Sequence, residues 1–200
     1  MTEIVVTAKI QIHPERSLRK ALDRSMVQFS LACNRISEVV FKTHNLNQAK
    51  LQEQLYNELR DRFGLKSQMA CSSIRTVIAK YKSILENEQK WIQPEFKKPQ
   101  LDLVWNKDYS LVKGVFSVNT LEGRIKAPFD IKGMEQYFDK NKYEFGTARL
   151  ICSKHKYYLH IPITMNVEKC KVSEVCNIVG IDRGINFLAV SYDSKGKSTF

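Results

Sequence analysis

Hydrophobic and polar positions change rhythm along the chain, and each rhythm predicts an element. Residues 3–12, EIVVTAKIQI, are β-branched and strand-like. His13-Pro14 ends that run, because the residue before proline avoids the α region and proline suits the first turn of a helix. Leu18, Leu22, Ser25, Phe29, Ala32, Ile36 and Val39 then recur at threes and fours, the spacing of a helical stripe facing a partner. Asn45–Asn47 breaks it. A second stripe, Leu51, Leu55, Leu59 and Phe63, stops at Gly64. A third, Ala70, Ile74, Val77, Ile78, Tyr81, Ile84 and Leu85, follows Ser67 as an N-cap. Three amphipathic helices with short joins read as a bundle.

Past Trp91 the helical spacing gives way to alternation. Pro94 and Pro99 bracket PEFKKP, a non-helical crossing segment. Short runs follow: LDLVW, LVKGVFSV, RIKAPF, FGTARLICS and KYYLHIPITM. Lys154-His155 divides the last two and marks a hairpin. The pattern predicts an antiparallel β module of barrel or sandwich type. Strand 3–12 lacks local partners, so it is expected to join that module, with the helices inserted into it. Residues 166–176 read as a connector. NIVGIDRGINFLAVSYDSKGKSTF reads as a buried strand, a tight turn, a second strand and a glycine-containing turn.

Composition narrows the function. The 200 residues are 43% hydrophobic with 10 Phe, 8 Tyr and 2 Trp, enough for a packed core and against a disordered chain. The formal charge of +11 points to a polyanion, nucleic acid before membrane. It is spread out: 17 basic and 10 acidic residues in the first hundred, 15 and 11 in the second. It therefore belongs to folded surface rather than to a tail. No stretch of about 20 apolar residues predicts a transmembrane helix, and the first residues do not pattern as a signal peptide. Five scattered cysteines (Cys33, Cys71, Cys152, Cys170, Cys176) without C-x-x-C argue against a zinc site and suit a reducing cytoplasm.

The segment that points to chemistry is Ile178-Val179-Gly180-Ile181-Asp182-Arg183-Gly184-Ile185-Asn186. An apolar β run delivers one carboxylate and then turns at glycine. Asp is a poor central-strand residue, so its place suggests an ion or a strong hydrogen-bond partner. Ordinary D-x-G turn chemistry would use the same residues. Two enzyme classes use the shape as well. Ribonuclease H-like nucleases bind divalent metal on a first-strand Asp, and the sugar-kinase, actin and heat-shock ATPase fold meets nucleotide phosphates there. The second expects a small hydroxyl residue soon after the glycine and a motif near the start of the chain. Ile185 and Asn186 after a basic 177-residue stretch suit the nuclease better.

NIVGIDRGINFLAVSYDSKGK resembles the first RuvC motif of the TnpB (OrfB) family, transposon-encoded RNA-guided DNA endonucleases related to the type V CRISPR effectors. LKSQMACSSIRTVIAKYKS resembles the helix ahead of that family's P-x-F-K segment, here Pro94-Glu95-Phe96-Lys97. GVFSVNTLEGRIKAPF resembles its central β segment, and FGTARLICSKHKYYLHIPITM the hairpin before RuvC. The pieces occur in family order and cover most of residues 65–200. The first 65 match in character more than in motif.

The resemblance implies an α+β fold: a wedge-type antiparallel β-barrel interrupted by an inserted helical bundle, followed by the start of a RuvC sheet. The expected segments are 1–13 as the first barrel strand, 14–92 as the helical recognition domain, 93–168 as the rest of the barrel and 169–200 as an incomplete RuvC domain. Guide RNA and target DNA are the implied partners, with no membrane. The implied cofactor is Mg²⁺ or Mn²⁺, with Asp182 as a metal-binding catalytic carboxylate. A two-metal site needs three or four carboxylates, and only 18 residues follow Asp182. The expectation is thus the front part of a nuclease that does not cut DNA alone. Asp193 reads as a turn residue.

Candidate nucleic-acid contacts are Arg75, Lys80 and Lys82 on the third helix, Lys97 and Lys98 beside Phe96 and Trp91, and Arg124 and Lys126 on one face of a strand. Each also suits a solvated face, and Trp91 and Phe96 suit a packed junction. His155, His160, Cys170 and Cys176 lack metal-ligand spacing.

Overall fold

The computed structural model describes residues 2–88, 90–112, 114–138, 144–167, 177–182 and 189–199. The chain is α+β. Strand β1 (Thr2–Ile12) leads into three helices: α1 (Arg16–Thr43), α2 (Gln48–Phe63) and α3 (Ser67–Glu88). Strands β2 (Gln100–Leu103), β3 (Tyr109–Val112), β4 (Val115–Thr120), β5 (Gly123–Asp130), β6 (Glu144–Phe145), β7 (Ala148–Ser153) and β8 (Lys156–Val167) follow, with a 3-10 turn at Glu135–Phe138. Three short strands, β9 (Val179–Asp182), β10 (Val190–Asp193) and β11 (Ser198–Thr199), come last.

The helices begin and end where local chemistry requires. Asn47 caps α2, its side-chain oxygen accepting from the Lys50 N–H at 3.1 Å. Gly64 ends α2 at φ 65°, a left-handed position that costs glycine least. Ser67 is not the cap of α3 but its first residue, and its hydroxyl accepts from Arg60 at 2.8 Å. The expected stripes are buried: Leu22, Phe29, Ile36, Leu51, Leu55, Leu59, Ile74 and Tyr81 all lie in the core.

The long sheet is antiparallel and runs β2-β7-β8-β1-β5-β4-β3, with β6 on β8. β1 pairs with β5, Gln11 opposite Asp130 and Ile12 opposite Phe129, so α1 to α3 interrupt one sheet. The two end strands of the order, β2 and β3, are consecutive in the chain. Five residues, 104–108, can span no more than about 20 Å, which keeps the two ends of the sheet near each other. The Tyr109 hydroxyl donates to the Gly146 carbonyl at 3.0 Å, and Trp105 packs edge-on against Tyr109 and Phe145. The result is a nearly closed barrel filled by Ile10, Leu101, Tyr109, Phe116, Leu150, Leu159 and Ile161.

The crossing segment lies along α1. Ser37 donates to the Pro94 carbonyl at 2.7 Å, Asn34 accepts the Phe96 N–H at 2.7 Å, and Ser30 accepts the Gln100 N–H at 3.2 Å. Residues 30, 34 and 37 share one helical face, so a polar row beside the apolar stripe satisfies the backbone of the extended 94–100 segment.

Val5–Met165 form one compact unit, and a second contains residues 2–4 and the described residues from Asn166 on. In the second, β9, β10 and β11 form a three-stranded antiparallel sheet. Its first strand is not buried as the apolar run suggested: Ile178 is 66% and Ile181 69% exposed. The turn Arg183–Asn186 and Cys170 and Cys176 lie outside the described residues. Among the described residues no helix is long and apolar enough to cross a membrane.

Candidate nucleic-acid interface

One face of α3 carries Ser72, Arg75, Thr76, Ala79, Lys80 and Ser83, a three-and-four spacing. It forms one wall of a groove of about 900 Å³. The 94–100 segment supplies Phe96, Lys97 and Lys98, and the barrel supplies Thr7, Arg149 and His160. Four of the seven predicted contact residues, Arg75, Lys80, Lys97 and Lys98, therefore meet in one place although 23 positions separate the outermost two. The Phe96 N–H donating to Asn34 and the Ser30 hydroxyl donating to the Lys98 carbonyl set the backbone there, and the Lys97 and Lys98 side chains are exposed beside it.

The charges are unbalanced. Arg75, Lys80, Lys97, Lys98 and Arg149 face two acids, Glu95 and Asp102. Glu95 is taken up by Lys97 at 3.2 Å. Asp102, 6% exposed, receives both arms of Arg149 at 2.7 and 2.9 Å and the Thr76 hydroxyl at 2.6 Å. The Asp102 carboxylate beside Arg149 pushes the guanidinium pKa up. Arg75, Lys80 and Lys98 have no carboxylate partner among the described residues.

His160, opposite Arg149 across β7 and β8, has a buried Nε2 without a hydrogen-bond partner. Burial, with Lys9 and Arg149 nearby, pushes its pKa below the usual imidazole value and keeps it neutral near pH 7. An unmade bond on a buried nitrogen costs stability unless something supplies the missing partner. Lys9 lies 4.6 Å above the Tyr158 ring on the same outer barrel surface.

The remaining candidates lie elsewhere. Lys82 is off the groove-lining face of α3, and helical phase alone separates it from Lys80. Arg124 and Lys126 lie on the outer face of β5, opposite Asn119 and Ser117, and Arg124 bonds to Ser117 at 2.8 Å. Trp91 is a structural anchor: its Nε1 donates to the Phe41 carbonyl at 3.1 Å and its ring stacks 4.4 Å from His44. Sequence reading passed over Arg149 and Lys9, and weighed His160 only as a metal ligand. Their signal was the polar half of the alternation in β1, β7 and β8, which says outward but not toward what.

Asp182 ends β9 opposite Val190 and is exposed. Asp193 pairs with Val179 three rungs away. Paired residues share a face and neighbours alternate, so the two carboxylates point to opposite faces of the sheet, about 10 Å apart along it. Asp193 serves its turn, accepting the Lys197 and Lys195 N–H groups at 2.7 and 3.0 Å, which lowers its pKa. Among the described residues no three His, Cys, Asp or Glu side chains come together to hold a metal ion. These residues do not fit a two-metal centre, and no cleavage step follows from them. Compared with protein-family models and with curated proteins, the chain matches none.

Proposed function

We propose that the chain is a nucleic-acid-binding protein of TnpB-like lineage that holds RNA in the groove between α3, the 94–98 segment and the barrel. The observation that carries this reading is the convergence of Arg75, Lys80, Lys97 and Lys98 with Arg149 and Phe96 in one concave surface. Guanidinium and ammonium groups neutralise phosphates and release counterions, while an aromatic face accepts a base. The motif around Asp182 and the run of family-like segments add the lineage: guide RNA and target DNA as partners, with nuclease chemistry belonging to a complete carboxylate set that also gathers Mg²⁺ or Mn²⁺.

The experiment is fluorescence anisotropy with a labelled structured RNA across a salt series. Affinity should fall steeply with salt. The triple variant Arg75→Gln/Lys80→Gln/Lys98→Gln should flatten the log–log salt slope by about 2, at roughly 0.7 for each phosphate no longer neutralised. Lys82→Gln/Arg124→Gln/Lys126→Gln removes equal charge outside the groove and should change the slope by less. Equal effects from both triples would mean a diffuse electrostatic surface and not a groove. Retention of labelled ATP without retention of RNA would replace this reading by a nucleotide-binding protein of the sugar-kinase or actin-like type.

A further inference from the structure

We propose that a second cavity, where the end of β1, the start of α1 and the β7–β8 turn meet, is a binding site for a phosphate group. It measures about 490 Å³ and is lined by His13, Arg19, Lys154, His155 and Lys156, together with Gln11 of β1. It shares no residue with the groove and does not rest on the RNA reading.

Residues more than 130 positions apart bring three cations and two imidazoles to one concavity, and no carboxylate lines it. Among the described residues, Arg19, Lys154 and Lys156 are in no ion pair. Arg19 donates its Nε to the Pro14 carbonyl at 3.2 Å, which anchors the guanidinium at the cavity wall. Asp23, one turn further along α1, accepts the Tyr157 hydroxyl at 2.7 Å. Like charges gathered this way repel. A phosphate offsets that repulsion with its negative charge and presents oxygens to both the guanidinium fork and the ammonium donors.

The turn supports the same conclusion. Lys154 and His155 are its two central residues, at φ 50° and 60°, with Ser153 opposite Lys156. A two-residue hairpin turn with both φ values positive favours Asn-Gly, and side chains such as these are strained there. The strained pair belongs to the cavity lining. The phosphate has two sources, a small free phosphate or a nucleic-acid backbone. Thr7, Lys9 and Gln11 share the outward face of β1, so the cavity lies about 13 Å along that strand from the groove, within reach of a few nucleotides.

The test uses the full chain. The ring resonances of His13 are followed by NMR during titration with inorganic phosphate, at constant pH and ionic strength, with chloride as the control. Saturable shifts are expected with phosphate alone. Arg19→Gln should weaken binding about tenfold, as should Lys154→Asn/His155→Gly. The double variant installs the favoured turn, so its thermal midpoint should rise by about 2–5 °C while its affinity falls, which excludes unfolding as the cause. A short oligonucleotide that displaces phosphate at micromolar concentration assigns the site to a backbone. Failure to displace it assigns the site to free phosphate. Shifts that follow ionic strength alone, or equal phosphate affinity in both variants, would overturn the site. RNA binding lost from the groove with phosphate still saturable leaves it standing.

Discussion

Arg149 joins two tasks at one residue. It neutralises Asp102 beneath α3 and faces the groove with its exposed half. Removing one partner of a fully buried pair costs about 3–5 kcal/mol, because the other charge is stranded; here the guanidinium is half exposed, so Arg149→Ala should cost about 2 kcal/mol. Urea unfolding measures this, and an unchanged midpoint would mean that water reaches Asp102 freely. His160 makes a pH prediction. Its pKa is lowered in the folded state by burial first and then by Lys9 and Arg149, the charged groups that face it from β1 and β7. The unfolded chain therefore binds the extra proton more readily, and stability is lost as pH falls below about 6.5. His160→Gln should flatten the thermal midpoint between pH 7 and 5. A profile as steep as that of the parent chain would assign the acid sensitivity to other groups.

Elements differ in how far their sequence announces them. α2 is legible throughout: Leu51, Leu55, Leu59 and Phe63 set its buried face, and Asn47 and Gly64 its ends. α1 is legible as a helix but not as a partner. Ser30, Asn34 and Ser37 look like ordinary polar residues beside its apolar stripe, and only the 94–100 backbone laid against them shows their use. β9 misleads, because four residues of strand-like character and an apolar flank predict burial and the strand is exposed throughout. An apolar run states what a strand gains from cover and not what covers it. Asp182, exposed at the end of that strand, should be dispensable for folding and for RNA binding. Asp182→Ala is expected to leave the thermal midpoint within about 2 °C and RNA affinity within a factor of about 2, since surface substitutions away from such features change stability by less than about 0.5 kcal/mol. A large loss of RNA affinity in anisotropy would instead place Asp182 in the interface.

At the scale of the molecule the barrel acts as the organiser. Bringing β2 round toward β3 turns the alternation of β1, β7 and β8 into an inner, filled face and an outer, largely polar one that carries Lys9, Arg149 and Lys156. Part of the surplus of +11 gathers on local surfaces: the groove, the cavity at the β7–β8 turn, and the outer face of β5. Net charge alone predicts salt-sensitive association with a polyanion. Which cations act together depends on which surfaces are concave and which carboxylates are already paired.

Periodicity, capping and composition are local properties, and they were enough to place the helices, the strand runs, the hairpin at Lys154-His155 and the excess of positive charge. Folding was needed to show that Arg149 neutralises Asp102, that Trp91 packs on His44 and not in the groove, and that Asp182 and Asp193 face apart. Each of these depends on register and on contacts across many residues. A side chain that is merely polar in the sequence acquires a partner only when the sheet closes and brings distant backbone alongside it.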